Sequence, residues 1–293
     1  MRLSTPIEAM QPGYEVVVVG SGYGGAIAAS RLARAGRKVC VLERGPERAP
    51  GEFPENTQEA QAETQPNTPL GRIGRRTALF DFHVDDDMVV LTGCGLGGTS
   101  LINANVSLRP DPRVMDDPAW PAAIRADRKG LAEAGARAEA MLGANPYPDD
   151  LPQLAKYRAL QRSGEGLALP VSKVRINVTF KDGANAAGEL QKACTLCGDC
   201  VSGCNHSAKN TTAMNYVPDA VRHGAQVFTC VAARWIEHAK DGSWQVYFEP
   251  VDVGRERFGA PEMSVRADIV VLAAGALAST VILLGSRRAG LAV

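Results

Sequence analysis

The alternation of apolar and polar positions is clearest near the amino terminus, where a strand pattern, a helix pattern and a second strand pattern follow one another. Residues 16–19 are four consecutive valines, which predicts a strand buried on both faces. Residues 24–35 place small apolar side chains at helical spacing, which predicts a helix that packs along one face. Residues 38–42 repeat the strand pattern. Together these segments predict a βαβ unit with a parallel sheet.

Further along the chain, the pattern predicts elements that are separated by long connections. Residues 46–80 are rich in Pro, Glu, Gln, Thr and Arg without clear periodicity, which predicts an arm or loop with little structure of its own. The predicted helices are 128–142, 151–165, 211–223 and a last one that ends near residue 284. The predicted strands are 171–180, 226–236, 244–248 and 265–272, and residues 88–91 lead into a second glycine-rich turn. We expect the last strand and helix to return to the sheet that begins near residue 15.

A glycine-rich turn joins the first strand to the first helix. Gly20 allows a tight turn, Gly22 leaves room for a phosphate to approach the main chain, and Gly25 lets the helix pack closely on the strand. Glu43, at the end of the second strand, is placed to accept hydrogen bonds from a ribose diol. The alternative is a plain glycine-rich turn of an α/β fold. The context favours a dinucleotide site, and its place at the start of the chain favours FAD over NAD by analogy.

Three further segments accompany this turn, and in this order the four resemble the glucose–methanol–choline (GMC) family of FAD-dependent oxidoreductases. They are Gly93-Cys-Gly-Leu-Gly-Gly-Thr-Ser-Leu-Ile-Asn103, residues 208–217 and residues 267–279. The four segments reach from residue 14 to about residue 287, and they are similar to the cholesterol-oxidase-like branch of the family. The resemblance implies an α/β fold: a Rossmann-like FAD-binding domain with an inserted, incomplete α+β substrate domain.

The resemblance also implies a division into domains. Residues 12–50 and 218–293 would form a discontinuous FAD-binding domain, and residues 88–110 a glycine loop that contacts the flavin. Residues 111–217 would be part of the substrate domain and would include the cysteine loop at residues 194–204.

In the family, the first glycine turn holds the FAD pyrophosphate, the acid holds the adenosine ribose, and the second glycine loop approaches the flavin. A main-chain segment that contacts adenine resembles the strand around Val231. For Gly97 and Gly98, a plain tight turn is the alternative. The residues expected to contact FAD are Gly20, Gly22, Gly24, Gly25, Glu43, Arg44, Gly97, Gly98, Asn103, Val231, Ala274 and Gly275.

Four cysteines follow one another at short intervals in the middle of the chain. Cys194, Cys197, Cys200 and Cys204 have the spacing of a bacterial ferredoxin loop, but no proline follows the last one and no second run is present. Structural zinc prefers two cysteine pairs with a longer spacer. Two interpretations stay open. Either the four thiolates hold an iron–sulfur cluster that passes electrons from reduced flavin to an external acceptor, or the loop binds zinc or nothing.

Composition narrows the classes of partner. The chain of 293 residues has 32 basic and 32 acidic side chains, so nothing points to nucleic acid or an anionic membrane. No apolar run is long enough to span a bilayer, and no secretory signal is visible. The seven cysteines then favour a reducing compartment, and we expect a cytoplasmic protein.

The resemblance implies oxidation of the CH–OH group of an alcohol or sterol, with dioxygen or a redox protein as the electron acceptor. In the family, a histidine in the carboxy-terminal part accepts the alcohol proton. His83, His206, His223 and His238 fall in no matching segment, so the sequence assigns no catalytic residue. We therefore expect the catalytic half on a missing carboxy-terminal segment or a partner chain. The alternatives are an electron-transfer or binding subunit that uses an iron–sulfur loop, and a nicotinamide-dependent reductase.

Overall fold

The computed structural model describes residues 2–254, 262–288 and 290–291. The strands are β1 Gly13–Val19, β2 Val39–Leu42, β3 Thr64–Thr68, β4 Gly71–Arg72, β5 Phe80–Val84, β6 Val89–Gly93, β7 Val106–Ser107, β8 Asn145–Pro146, β9 Arg175–Ile176, β10 Gly183–Ala184, β11 Leu190–Gln191, β12 Gln226–Phe228, β13 Val231–His238, β14 Trp244–Pro250 and β15 Met263–Leu272. The α-helices are α1 Tyr23–Arg34, α2 Thr57–Ala62, α3 Ala122–Ala126, α4 Arg128–Leu142, α5 Ala155–Leu167, α6 Tyr216–Arg222 and α7 Gly275–Arg288.

A six-stranded sheet with the strand order β12-β2-β1-β15-β14-β13 forms the centre of the fold. The first four of these strands are parallel, and β14 and β13 continue the sheet in antiparallel fashion. Val17 on β1 lies between Cys40 on β2 and Val270 on β15. Because the four parallel strands end at the same edge, the turns that follow them are brought together there.

Both faces of β1 are covered, which explains its unbroken run of valines. Val16 and Val18 pack in a core with α1 and α6, and Val17 packs on the other face with Phe228 and Phe248. All five side chains are fully buried. A strand buried on both faces needs apolar side chains at every position, because successive side chains point to opposite faces.

Smaller sheets surround this core. A four-stranded sheet has the order β4-β3-β5-β6, a three-stranded sheet has the order β7-β9-β8, and β10 pairs with β11. Among the described residues, no helix is long and apolar enough to cross a membrane.

Several sequence predictions are confirmed. The helix at 128–142 has the predicted bounds, and β1, α1 and β2 lie where the βαβ pattern placed them. The strand β15 returns to the sheet beside β1, and α7 follows it. β13 and β14 lie within or near the strands predicted at 226–236 and 244–248, and they form a hairpin with Asp241 and Gly242 in its turn. The division into domains stays a prediction.

The prediction that residues 46–80 have little structure is wrong, because α2, β3 and β4 lie there. The side chain of Asn56 caps α2 by accepting a hydrogen bond from the Glu59 N–H. On β3, Gln65 is fully buried and its amide group donates to the Ala78 carbonyl at 2.6 Å. This strand is stabilised by buried polar contacts, so apolar periodicity does not reveal it.

Three other predicted elements are shorter or are interrupted. The strand expected at 171–180 is reduced to β9, because Val178 N–H bonds back to the Ile176 carbonyl in a tight turn. The helix expected at 211–223 breaks at Asn215, whose side chain instead accepts from the Tyr216 N–H at the start of α6. The strand expected at 226–236 divides into β12 and β13, because Cys230 has a φ of 56° and turns the chain between them.

Candidate functional site

The first glycine turn (residues 20–25) lies at the carboxyl edge of the parallel strands. It is packed so tightly that a side chain is excluded at two of its positions. A Cβ atom on Gly25 would lie 1.9 Å from the Gly20 carbonyl oxygen, and one on Gly20 would lie 2.6 Å from the Ala273 oxygen. The turn after β1 therefore contacts the turn after β15, which contains the expected cofactor contacts Ala274 and Gly275. A methyl group at position 25 would force α1 away from β1.

Gly22 has the opposite environment. A Cβ atom built on it meets no heavy atom within 4 Å, and no side chain caps the start of α1, for which Gly22 is the N-cap residue. Gly24 is almost as open, since its nearest neighbour would be the Ala273 Cβ at 3.9 Å. The first N–H groups of a helix have no partner within the helix, and its dipole favours negative charge there. A helix start with glycine at its N-cap and open space at that position fits a phosphate group.

The second glycine loop (residues 93–103) packs directly on this turn. Gly98 has a φ of 56°, and a Cβ atom there would lie 2.9 Å from the Gly22 Cα. The Gly97 N–H donates to the Ser21 hydroxyl at 2.8 Å. The two glycine segments that the sequence singled out separately therefore form one continuous surface.

Glu43 lies beneath this surface and is buried. Its carboxylate accepts from the Ser21 N–H at 3.0 Å, the Ser21 hydroxyl at 2.6 Å and the Gly45 N–H at 2.8 Å. Burial is the largest influence and raises the pKa of Glu43, while these hydrogen bonds act in the opposite direction. A carboxylate has about four acceptor positions. Three are used within the protein, which leaves one acceptor position.

Two buried hydroxyls, of Thr212 and Ser100, hold residues 208–217 against the two glycine segments. The sequence analysis did not identify either of them. The Thr212 hydroxyl lies 3.0 Å from the Ser21 carbonyl oxygen and 3.1 Å from the Gly97 carbonyl oxygen. The Ser100 hydroxyl donates to the Gly97 carbonyl at 2.6 Å and accepts from the Thr212 N–H at 3.0 Å. Both residues lie inside the quoted segments, but no spacing rule distinguishes them from other hydroxyls.

Asn103 ends the second glycine loop and reaches the start of α1. Its side-chain amide donates to the Tyr23 hydroxyl at 2.8 Å, and its oxygen accepts from the Asn105 N–H at 3.2 Å. This residue, expected at the flavin, therefore lies beside the first turn of α1.

The side chain of Arg44 is held by other residues of the protein. Its half-buried guanidinium forms an ion pair with Asp81 and donates to the Arg76 carbonyl at 3.0 Å and the Gln65 side chain at 3.2 Å. It thereby ties the four-stranded sheet to the main sheet. Val231 lies beside Glu43, with its N–H donating to the Glu43 carbonyl at 2.9 Å. Contacts of Arg44 and Val231 with a cofactor stay predictions.

The cysteine loop (residues 194–204) contains four free thiols, of which Cys197 is exposed and the other three are half-buried. The Cys194 sulfur accepts from the Leu196 N–H at 3.4 Å. Within the described part of the chain, no group of three or more His, Cys, Asp or Glu side chains is placed to hold a metal ion. The arrangement of Cys200 and Cys204 with the other two thiols therefore gives the iron–sulfur interpretation no support.

The four histidines lie in other surroundings. His83 Nε2 is 3.4 Å from an oxygen of Asp81, and His223 Nδ1 is 2.7 Å from the Asp219 carbonyl. His238 packs on the Trp244 ring, and His206 is exposed. The contacts of these four imidazoles give none of them a proton-transfer role.

With this geometry in place, a family model described as GMC oxidoreductase matches residues 14–290. The chain belongs to the GMC oxidoreductase family. It is 31% identical over 252 residues to a cholesterol oxidase of Mycobacterium tuberculosis (strain ATCC 25618 / H37Rv), which is 81% of this chain and 42% of that protein. It is 28% identical over 243 residues to the long-chain-alcohol oxidase FAO3 of Arabidopsis thaliana, which is 82% of this chain and 29% of that protein. The chain thus spans less than half the length of these curated relatives.

Solved structures confirm the fold class. Pyridoxine 4-oxidase from Mesorbium loti is similar with a TM-score of 0.59 and 18% identity, over 94% of this chain and 52% of that chain. A fungal aryl-alcohol oxidase is similar with a TM-score of 0.58 and 15% identity, over 94% of this chain and 48% of that chain. The GMC family has FAD as its cofactor, and the open turn at Gly22 with the acceptor at Glu43 fits a dinucleotide of this kind.

Proposed function

We propose that this chain is the FAD-binding part of an oxidoreductase that acts on the CH–OH group of an alcohol or a sterol. The observation that carries this proposal is the open phosphate-binding turn at Gly22, covered on one side by Gly98 of the second glycine loop. The similarity to cholesterol and long-chain-alcohol oxidases supports a hydroxyl group on an apolar molecule as the substrate.

Different residues of this chain would bind the pyrophosphate, the ribose and the adenine of FAD. The main chain at Gly22, Gly24 and Gly25 would hold the pyrophosphate at the start of α1. Glu43 would accept a ribose hydroxyl at its remaining acceptor position, and the main chain at Val231 would meet the adenine beside it. When bound, FAD supplies an acceptor for the hydride of the alcohol.

The flavin end of the cofactor would lie along the second glycine loop. Gly97, Gly98 and Asn103 form its near side, and hydrogen bonds from the loop to Ser21 and Tyr23 keep it in place. The turn at Ala274 and Gly275 would border the cofactor on the side of β15. These main-chain and side-chain groups bind and orient the cofactor.

Removal of the substrate proton requires a base, and the sequence assigns none of the four histidines to this role. We propose that the base belongs to a carboxy-terminal segment or a partner chain, since the curated relatives extend well beyond the matched part. Dioxygen is the electron acceptor that the oxidase relatives favour. A redox protein as acceptor would call for an electron relay in the cysteine loop.

An iron–sulfur cluster in the cysteine loop stays a prediction from spacing. Anaerobic purification followed by iron and acid-labile sulfide analysis tests it. Iron and sulfide bound in proportion to the protein would support the electron-transfer interpretation. Protein that contains neither would remove that interpretation and leave FAD as the redox centre.

The decisive experiment for FAD compares the wild-type protein with Gly22→Val in calorimetric titrations with FAD and with NAD. The new side chain enters open space, so Gly22→Val should fold, but it occupies the place where the pyrophosphate would approach. We expect the wild-type protein to bind FAD, and the variant to lose most of this affinity. Gly135→Ala, at an equally open position on α4, is the matched control and should bind FAD normally. A wild-type protein that binds NAD but not FAD would contradict the proposal.

A further inference from the structure

The side chain of Lys209 connects the cysteine loop to the second glycine loop. Its ammonium group donates to the Leu101 carbonyl at 2.8 Å, the Asn103 carbonyl at 2.8 Å and the Cys200 carbonyl at 2.7 Å. The residue is only 2% exposed. The three ammonium protons thus bond to three main-chain oxygens, two in the second glycine loop and one in the cysteine loop.

This environment is unusual for a lysine. Buried lysines are rare and generally pair with a carboxylate, because desolvation of an ammonium is costly. The ammonium of Lys209 instead donates to three main-chain carbonyl oxygens. Burial is the main influence on the pKa of Lys209 and lowers it to about 8. The ammonium is the link between the two loops, and its removal would leave three carbonyl groups to find other partners.

In each loop, a residue whose carbonyl accepts from Lys209 lies in a short 3₁₀ turn. On one side, Leu101 ends the single 3₁₀ turn Gly98–Leu101, which begins at the contact with Gly22. On the other side, Cys200 is the middle residue of the 3₁₀ turn Asp199–Val201. A shift of the Cys200 carbonyl would therefore be transmitted through Lys209 to the residues that lie on the phosphate-binding turn.

A cavity lies between the end of the cysteine loop and the second glycine loop. It has a volume of about 380 Å³, and Leu101, Cys204, Ser207 and Lys209 contribute to its lining. One thiol of the loop therefore borders the same space as the lysine and the second glycine loop.

We propose that Lys209 is a positioning residue that couples the cysteine loop to the second glycine loop, so that a ligand or modification at the thiols and the binding of FAD affect each other. This inference rests on the proposed function, since it needs FAD to bind at the glycine loops. Coupling between two binding sites acts in both directions. The cysteine loop then serves as a sensing element for the flavin site.

The test measures FAD affinity by calorimetry before and after the loop thiols are blocked with N-ethylmaleimide, with peptide mass spectrometry to identify the modified cysteines. We expect blocking to change the FAD dissociation constant of the wild-type protein at least about fivefold, the lower end of typical couplings. In Lys209→Met the same blocking should leave it unchanged, and Lys209→Arg should retain part of the effect. Lys240→Met, at an exposed lysine in the β13–β14 turn, is the control and should behave as wild type.

Blocking that leaves the wild-type FAD affinity unchanged would overturn the coupling, while FAD binding itself would still support the proposed function. An equal effect in Lys209→Met would overturn the role of Lys209. If this variant does not fold, amide hydrogen exchange on the wild-type protein decides. FAD should then slow exchange at Asp199–Val201 as well as at Gly98–Leu101. Slowing confined to the second glycine loop would refute the coupling.

Discussion

The hydroxyl of Ser21 donates to the Glu43 carboxylate over 2.6 Å in the buried interior of the site. The same oxygen accepts the Gly97 N–H at 2.8 Å. One hydroxyl therefore orients the expected ribose acceptor and also holds the second glycine loop.

Ser21→Ala should weaken both contacts at once. The substitution removes a donor to Glu43 and leaves the Gly97 N–H without its partner. An unpaired buried polar group costs about 1–3 kcal/mol. We expect the free energy of unfolding in urea to fall by about that amount, together with a loss of FAD affinity.

The control for Ser21→Ala is Ser163→Ala on α5, where an exposed hydroxyl donates to the Ala159 carbonyl of its own helix. This variant should unfold within about 0.5 kcal/mol of wild type. Equal stability of the two variants would contradict the linking role of Ser21.

Gly98→Ala should disrupt the contact between the glycine segments. Residue 98 has a φ of 56°, and its new Cβ atom would lie 2.9 Å from the Gly22 Cα. A non-glycine residue in such a conformation costs about 1–3 kcal/mol. We expect this loss in the free energy of unfolding without FAD, and a lower FAD affinity besides. A wild-type unfolding midpoint in Gly98→Ala would show that the two loops do not touch in solution.

The ion pair between Arg44 and Asp81 offers a double-mutant cycle. Asp81 is 2% exposed, so Arg44→Met would leave a buried carboxylate without its guanidinium. Removal of one partner of a buried pair costs about 3–5 kcal/mol. We expect Arg44→Met to lose free energy of unfolding in this range, and Arg44→Met with Asp81→Leu to recover much of it. Additive losses in urea unfolding would show that the two residues act independently.

The carboxylate of Asp219 joins α6 to α1 and should make stability depend on pH. It accepts from Ser30 and from Arg34, and its side chain is 4% exposed. Burial acts to raise the pKa of Asp219, but the hydrogen bonds from Arg34 and Ser30 outweigh it, so the pKa lies below its ordinary value. The charged form is therefore favoured in the folded state, and it stabilises the protein above the pKa of the unfolded chain, about 4.

We expect Asp219→Asn to lower the free energy of unfolding by about 1–3 kcal/mol at neutral pH. Because protonation removes the same charge from the wild-type protein, the difference should shrink as the pH falls below about 4. Urea unfolding of both proteins across this range is the measurement. A difference that stays constant down to pH 3, roughly one unit below the unfolded pKa, would rule out the charge as its origin.

Sequence reasoning succeeded where a pattern follows directly from burial. The valines of β1 and the glycines of residues 20–25 predicted the βαβ unit, because a strand covered on both faces and a tight turn each restrict the residue types. It failed for β3, where the buried side chain of Gln65 bonds to Arg44 and to the Ala78 carbonyl and so stabilises the strand through polar contacts. Polar residues in an irregular pattern resemble a loop until their partners are known.

The candidate site divides in the same way. The expected residues Gly22, Gly98 and Glu43 lie together at one edge of the sheet. Arg44 was expected at the cofactor. The structure shows its guanidinium in an ion pair with Asp81, and a contact with the cofactor stays a prediction. The connecting residue Lys209 was not predicted, because a buried lysine and an exposed one have the same sequence pattern.

The sequence by itself determined that the chain carries the nucleotide-binding elements of a GMC oxidoreductase, since local patterns and the order of motifs are enough for that inference. Only the tertiary structure decided how the motifs join. The Thr212 hydroxyl approaches the Ser21 carbonyl across a separation of 191 residues, and the Gly97 N–H meets the Ser21 hydroxyl across 76. Such contacts depend on how the strands are ordered and how tightly their turns pack, and these are properties of the folded chain rather than of any segment.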